Sequence, residues 1–206
     1  MAPTWVEALL TVSGKFRTLA QALIHQKHLG RNCRWPFHFH AKSEPAVNHA
    51  YSDGGGSATS ASITGGAGFL AGGVLYPILS RQHLTAPEVH TIEVVAGGTG
   101  LNMVGLVNAI LQEMQVRLGK ATPYYFDSSS TVFVANNEKA IKRSVWLIRR
   151  VKVLLEAVEY GDIIVIHIGD AYMVADVFTK YLKYERWHRH VVYLNNAPIK
   201  GPAAKL

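Results

Sequence analysis

The sequence predicts an α/β domain, and three observations carry that expectation. Short runs of strand character come first and lie close together: Ala46 to Asp53, Ala67 to Ala71 and Val74 to Leu79, the last two joined through Gly72-Gly73, a two-residue hairpin signal. Helix-like and strand-like segments then alternate to about Leu182. The chain has 206 residues, 49% of them apolar and 17% charged, which suits one soluble globular core with a modest appendage rather than a disordered chain.

Each element has a local reason. Between Val12 and Leu29, Phe16, Leu19, Ala20, Leu23 and Ile24 recur at helical spacing and stop at Gly30, which predicts a helix. Asn32 to Asn48 mixes Cys33, His38 and His40 with aromatics and two prolines; three potential ligands at irregular spacing, with no fourth nearby, read as a loop or edge strand rather than a metal site. Gly54 to Thr64 is rich in Gly, Ser and Thr and must turn. Pro87 suits the first turn of a helix running to Leu118. Gly97, Gly98, Gly100 and Gly105 inside it each cost about 1 kcal/mol against Ala. GGTGLNMVG fits neither G-x-G-x-x-G nor a phosphate loop, so close helix packing explains these glycines.

Thr122 to Asp127 reads as a strand ending in a carboxylate, followed by Ser128, Ser129 and Ser130 and a short helical stretch to Ala135. Glu138 to Tyr160 is an amphipathic helix with Leu147, Ile148, Val151, Leu154, Leu155 and Val158 on one face. Its other side presents Lys139, Lys142, Arg143, Arg149, Arg150 and Lys152, which is either a solvated face or a polyanion contact. Gly161-Asp162 ends this helix, Ile163 to Ile168 is expected as a buried strand, and Asp170 to Leu182 as a short helix containing Asp176. Lys183 to Leu206 reads as a basic, aromatic-bearing, weakly patterned tail.

Lys and Arg outnumber Asp and Glu by 21 to 14, for a net charge of +7, and such a surface favours polyanions, nucleic acid above all. The single cysteine excludes an internal disulfide framework and any multi-Cys metal site. Met1 to Ala20 lacks the pattern of a secretion signal. Gly54 to Ser80 and Val94 to Gln112 are uncharged, but Pro77 and many small residues in the first, and Asn102 and Asn108 among four glycines in the second, argue against spans. The expectation is a chain with no membrane partner, in an intracellular setting such as a cytoplasmic particle or the nucleus.

Asp53, Glu93, Asp127 and Asp176 stand at or within regular elements beside apolar neighbours. Burying four carboxylates together costs several kcal/mol unless cations neutralise them, so a fold that gathers them implies a divalent-metal site. Carboxylate oxygens suit Mg²⁺ and Mn²⁺. Two such ions about 4 Å apart clamp attacking water and leaving oxygen in phosphodiester hydrolysis.

The wording around these acids is specific: Tyr51-Ser52-Asp53, Ser60 to Gly68, Ser80-Arg81-Gln82, His90-Thr91-Ile92-Glu93-Val94, Phe126-Asp127-Ser128 and Val174-Ala175-Asp176-Val177-Phe178-Thr179-Lys180. In this order, from about Tyr51 to Leu182, the chain resembles the ribonuclease H domain of Ty1/copia-type retrotransposon Pol polyproteins. The last motif is the most specific match. Phe16 to Gly30 is similar to the helix that closes the neighbouring reverse transcriptase. Residues 1–45 are therefore expected as a helix and linker from its thumb or connection, 46–182 as the ribonuclease-H-like domain, and 183–206 as the basic tail. Gly54-Gly55 stand where the family usually has a second acid, and Ser128 where it has Asn.

The resemblance implies a mixed five-stranded sheet flanked by helices, with Asp53, Glu93, Asp127 and Asp176 as metal-binding catalytic carboxylates around two Mg²⁺ or Mn²⁺ ions. It implies cleavage of the RNA strand of an RNA–DNA hybrid, with reverse transcriptase or other Pol domains as partners. Strand choice follows from the 2′-hydroxyl, which only RNA offers. Ser128 and Ser129 are candidate donors in that groove, and Lys142, Arg143, Arg149 and Arg150 candidate phosphate contacts. His167 is either a general base or a hydrogen-bonded structural histidine. Trp146, Trp187 and Tyr184 are base-stacking or packing residues. A catalytically silent nucleic-acid-binding module and an assembly protein docking through its basic helix are the competing readings.

Overall fold

The computed structural model describes residues 48–56, 61–70, 73–82, 89–113, 121–137 and 145–194. The helix expected at Val12 to Leu29, the Cys33, His38 and His40 segment, and Lys139, Lys142 and Arg143 lie outside the described residues.

Five strands form one mixed sheet: β1 (Asn48–Gly55), β2 (Ile63–Leu70), β3 (Gly73–Arg81), β4 (Thr122–Phe126) and β5 (Ile163–His167), in the order β3-β2-β1-β4-β5. β1, β2 and β3 pair antiparallel, while β4 lies parallel to both β1 and β5. The helices are α1 (Val89–Glu113), α2 (Ser129–Ala135), α3 (Val145–Glu159), α4 (Asp176–Thr179) and α5 (Tyr184–Leu194), with a 3₁₀ turn at Asp170–Tyr172. This is the α/β architecture, a mixed five-stranded sheet flanked by helices, that the sequence implies.

Each face of the sheet buries its own core. On one side Ala50, Tyr124, Phe126 and Val165 meet Leu101 and Val104 of α1 and Leu154 of α3. On the other, Tyr51, Phe69 and Tyr125 meet Met173 to Ala175, Val177 and Phe178 around α4, and Leu194 of α5. β2, beside the central β1, is covered on both faces, and its small residues leave room for that: a Cβ on Gly65 would stand 2.5 Å from Cγ2 of Thr179.

α1 is long and apolar enough to cross a membrane by length and composition, and half of that stretch is buried in the fold. Asn108 ties it to the sheet, accepting from Nδ2 of Asn48 at 2.6 Å and donating to Oγ1 of Thr122 at 3.1 Å. Its glycines divide into two kinds. A Cβ on Gly97 or Gly100 would strike Phe126 or the Tyr124 hydroxyl, whereas Gly98 and Gly105 face open space.

Four expectations are corrected. The turn is shorter than Gly54 to Thr64, because β1 runs through Gly55 and β2 starts at Ile63. β5 is not a buried strand: it lies at the sheet edge, with Ile163 and Val165 buried and Ile164 50% exposed. Asp170 to Leu182 is not one helix but a 3₁₀ turn and the four-residue α4. The segment after Lys183 begins with a helix, α5, which buries Trp187, His190, Val191 and Leu194, so the packed body continues past Leu182. Those four positions follow helical spacing, and Arg186 before them and His188 and Arg189 between them conceal it in a composition-based reading.

Candidate active site

The parallel pairing of β1 and β4 is what brings the first two acids together. Ala50 pairs with Tyr124 and Tyr51 with Tyr125, so the same register carried forward sets Asp53 level with Asp127. β5 continues the row, and Nε2 of His167 lies 3.0 Å from the carbonyl oxygen of Asp127. His167 is exposed, and this backbone contact at the carboxyl end of the strand favours the structural role over the general base.

Glu93 arrives from the N-terminal part of α1, where the helix presses on the strand. A Cβ on Gly54 would lie 2.7 Å from the Ile92 carbonyl group and 2.8 Å from the Glu93 nitrogen, so only glycine admits this approach. Gly54 N–H donates to Oε2 of Glu93 at 3.1 Å. A Cβ on Gly55 would likewise meet the Thr179 carbonyl oxygen at 2.7 Å. The Gly54-Gly55 pair is thus required by packing on both faces. Asp176 opens α4 and is fully buried.

The carboxylates form two groups that share one member. Oxygens of Asp53, Glu93 and Asp127 lie within 4.8 Å of one another, as do those of Asp127, Asp170 and Asp176. Between the groups stands Lys180, with Nζ 3.1 Å from Asp53, 3.3 Å from Asp127 and 2.8 Å from Asp176. Arg186 of α5 donates to the carboxylates of Asp170, at 2.8 Å, and of Asp176, and also to the Asp170 carbonyl oxygen. The Thr179 hydroxyl donates to Asp53.

Among the described residues negative charge remains in excess. Burial first, then the Asp53 and Asp127 carboxylates, push Glu93 up to about 9, with the Gly54 N–H and Lys180 acting the other way. Burial, with Asp53 adding to it, pushes Asp176 up to about 7 against the pull of Lys180 and Arg186. Burial disfavours the charge on Lys180, but Asp53, Asp176 and Asp127 outweigh it and raise its pKa. The hydrogen bond from Arg186 holds the exposed Asp170 below the ordinary carboxylate range.

These residues fit a divalent cation. The donors are all carboxylate oxygens, the set suited to Mg²⁺ or Mn²⁺. Glu93 is buried among two further acids, and among the described residues no ion pair reaches it.

The other residues singled out from the sequence lie elsewhere. Ser128 caps α2, its Oγ accepting from the Thr131 N–H at 3.3 Å and the Thr131 hydroxyl at 3.0 Å, and standing 3.0 Å from the Ser130 hydroxyl. Ser129 is exposed at the start of α2. Arg149 and Arg150 are exposed on α3, while the apolar face anticipated for that helix is turned inward. Trp187 is buried and packs, with Tyr184 half-exposed beside it at a ring separation of 6.2 Å.

Sequence reasoning did not single out Lys180, Thr179, Asp170 or Arg186. The first two stand inside the Val174 to Lys180 motif, where their spacing from Asp176 was a usable signal: an i,i+4 acid–lysine pair shares a helix face. Arg186 needed the α5 helix to be recognised first.

No family model matches the chain, and no curated protein matches it. Among solved structures, LC11-RNase H1 in complex with an RNA/DNA hybrid is similar, with a TM-score of 0.44 and 12% identity over 61% of this chain and 88% of that one.

Proposed function

We propose that this chain is a divalent-metal-dependent ribonuclease H that cuts the RNA strand of RNA–DNA hybrids, derived from a Ty1/copia-type retrotransposon Pol polyprotein. The observation that carries the reading is the meeting of Asp53, Glu93, Asp127 and Asp176 from four separate elements at one end of the sheet. The same four acids lie in the motifs that resemble that family. Asp53, Glu93 and Asp127 would hold one ion, and Asp127 and Asp176 the other. Bound there, Mg²⁺ or Mn²⁺ supplies activation of water and neutralisation of charge on the scissile phosphate.

The chain's own residues do the rest. Burial of Glu93 and Asp176 keeps bulk water from screening the carboxylates. The Gly54 N–H fixes one Glu93 oxygen, and the Thr179 hydroxyl fixes Asp53. Ser129 is available to a 2′-hydroxyl, and Arg149 and Arg150 to phosphates. A second reading, a silent hybrid-binding module, is favoured by Lys180, an internal cation that already spans three of the acids.

Incubating the purified chain with a strand-labelled hybrid in Mg²⁺ or Mn²⁺ tests both. Cleavage of the RNA strand that disappears in EDTA and in Asp127→Asn supports the enzyme. Binding of hybrid that weakens with salt, without cleavage in either metal, selects the silent module.

A further inference from the structure

The two carboxylate groups are not equivalent, and the cations between them make the difference. In the Asp170–Asp176 group both acids are engaged by Arg186, and Oδ1 of Asp176 is also taken by Lys180. In the Asp53–Glu93–Asp127 group, among the described residues, Arg186 makes no ion pair and the cation present is Lys180, whose side chain is 37% exposed. A lysine is a point charge on a flexible stem and can swing into solvent. Lys180 and Arg186 each make three polar contacts, but the planar Arg186 fork directs its N–H groups at the Asp170 carboxylate, the Asp170 carbonyl oxygen and Asp176 at once and is the less exposed of the two, at 26%.

We infer that Lys180 and Arg186 are built-in counter-ions that set the order of metal loading. A divalent cation enters the Glu93 group first and displaces Lys180, while Arg186 holds the Asp170–Asp176 group against a second ion. This rests on the metal-dependent reading above. It adds that the free protein takes one ion tightly rather than two, and that a second ion requires Arg186 to release Asp176.

Mn²⁺ titration of the full chain, followed by calorimetry and by the paramagnetic signal of free Mn²⁺, tests this without reference to activity. Wild type binds one tight ion. Lys180→Gln binds that ion about tenfold more tightly, because a competing charge is gone, and Lys180→Arg does not. Arg186→Gln gains a second tight ion.

Wild type also supplies a readout that needs no variant. Trace reductive methylation read by peptide mass spectrometry labels Lys180 more slowly than the exposed Lys183 in EDTA, and Mg²⁺ accelerates Lys180 alone. Tight binding of two ions by wild type, or Lys180 labelling indifferent to Mg²⁺, overturns the inference and leaves the enzyme reading standing. Absence of Mn²⁺ binding in wild type and every variant overturns both.

Discussion

Strand β1 carries two polar groupings on one face, two residues apart, and they meet the cost of burial in opposite ways. Asp53 belongs to the carboxylate cluster, where five acids including Asp170 face two cations and Glu93 and Asp176 are driven toward their neutral forms. His49 and Tyr51 belong to a neutral network: the Tyr193 hydroxyl lies 3.1 Å from Nε2 of His49 and 3.2 Å from the Tyr51 hydroxyl. Around it the rings of Tyr51 and Tyr125 stack at 4.9 Å and those of His49 and Phe69 at 4.9 Å. The neutral network is completed from within the chain and does the work of packing. The charged one is left short of positive charge among the described residues, and the proposed function assigns that shortage to an external cation.

The largest effect that separates them is on catalysis. Asp53→Asn keeps the shape of the side chain and removes a carboxylate from the proposed metal group. Loss of a direct ligand should exceed the cost of disturbing a group behind one, so hybrid cleavage is expected to fall by more than about a hundredfold. Tyr193→Phe, on the same face of the sheet, should leave cleavage in saturating Mg²⁺ unchanged. Equal losses in the two variants, measured on the same labelled hybrid, would erase the distinction.

A smaller effect, confined to the charged grouping, is on stability against pH. Glu93 rises from 4.5 to about 9 on folding and Asp176 from 3.8 to about 7. A group whose pKa is raised by folding gives its full contribution below its unfolded pKa and loses it as pH climbs through the folded value. In EDTA the melting temperature should therefore fall as pH rises toward 9. His190, pushed down to about 4 by burial together with Arg186 and Arg189, has the opposite sign and costs stability as pH drops below about 6.5, so the clean window lies above that. Mg²⁺ binds the ionised acids, so its stabilising increment should grow across the same window as protons are released. An increment that stays flat between about pH 6.5 and pH 9 would mean that the acids are not its ligands.

Three of the four acids were legible in the sequence because they are punctuated locally: Asp53 by the glycines after it, Asp127 by the end of an apolar strand, Asp176 by its motif. The sheet was legible for the same reason, and the close packing read from the α1 glycines holds for Gly97 and Gly100. Gly98 and Gly105 meet nothing, so packing does not account for them. The cations were harder to read. The i,i+4 spacing from Asp176 marks Lys180, whereas Arg186 lies among other basic residues and only the docking of α5 reveals that it points inward. The neutral network was hidden too, since His49 and Tyr193 are 144 residues apart and no local pattern links them.

The smallest expected effect tests that network directly. Tyr193→Phe removes the one hydroxyl shared by His49 and Tyr51 while leaving the ring that packs 5.0 Å from Phe69. Tyr51 is buried, and its pKa is raised well above the ordinary phenol value by burial first and Tyr193 second, so its hydroxyl stays neutral and loses a partner rather than a charge. The expected cost is about 1 kcal/mol in urea unfolding, of the size of one net hydrogen bond. It should be the same in EDTA and in Mg²⁺, because no charge in the carboxylate cluster changes. A Tyr193→Phe variant whose Mg²⁺ increment differs from wild type would instead show that the two groupings on β1 are energetically coupled across the single residue, Ser52, between Tyr51 and Asp53.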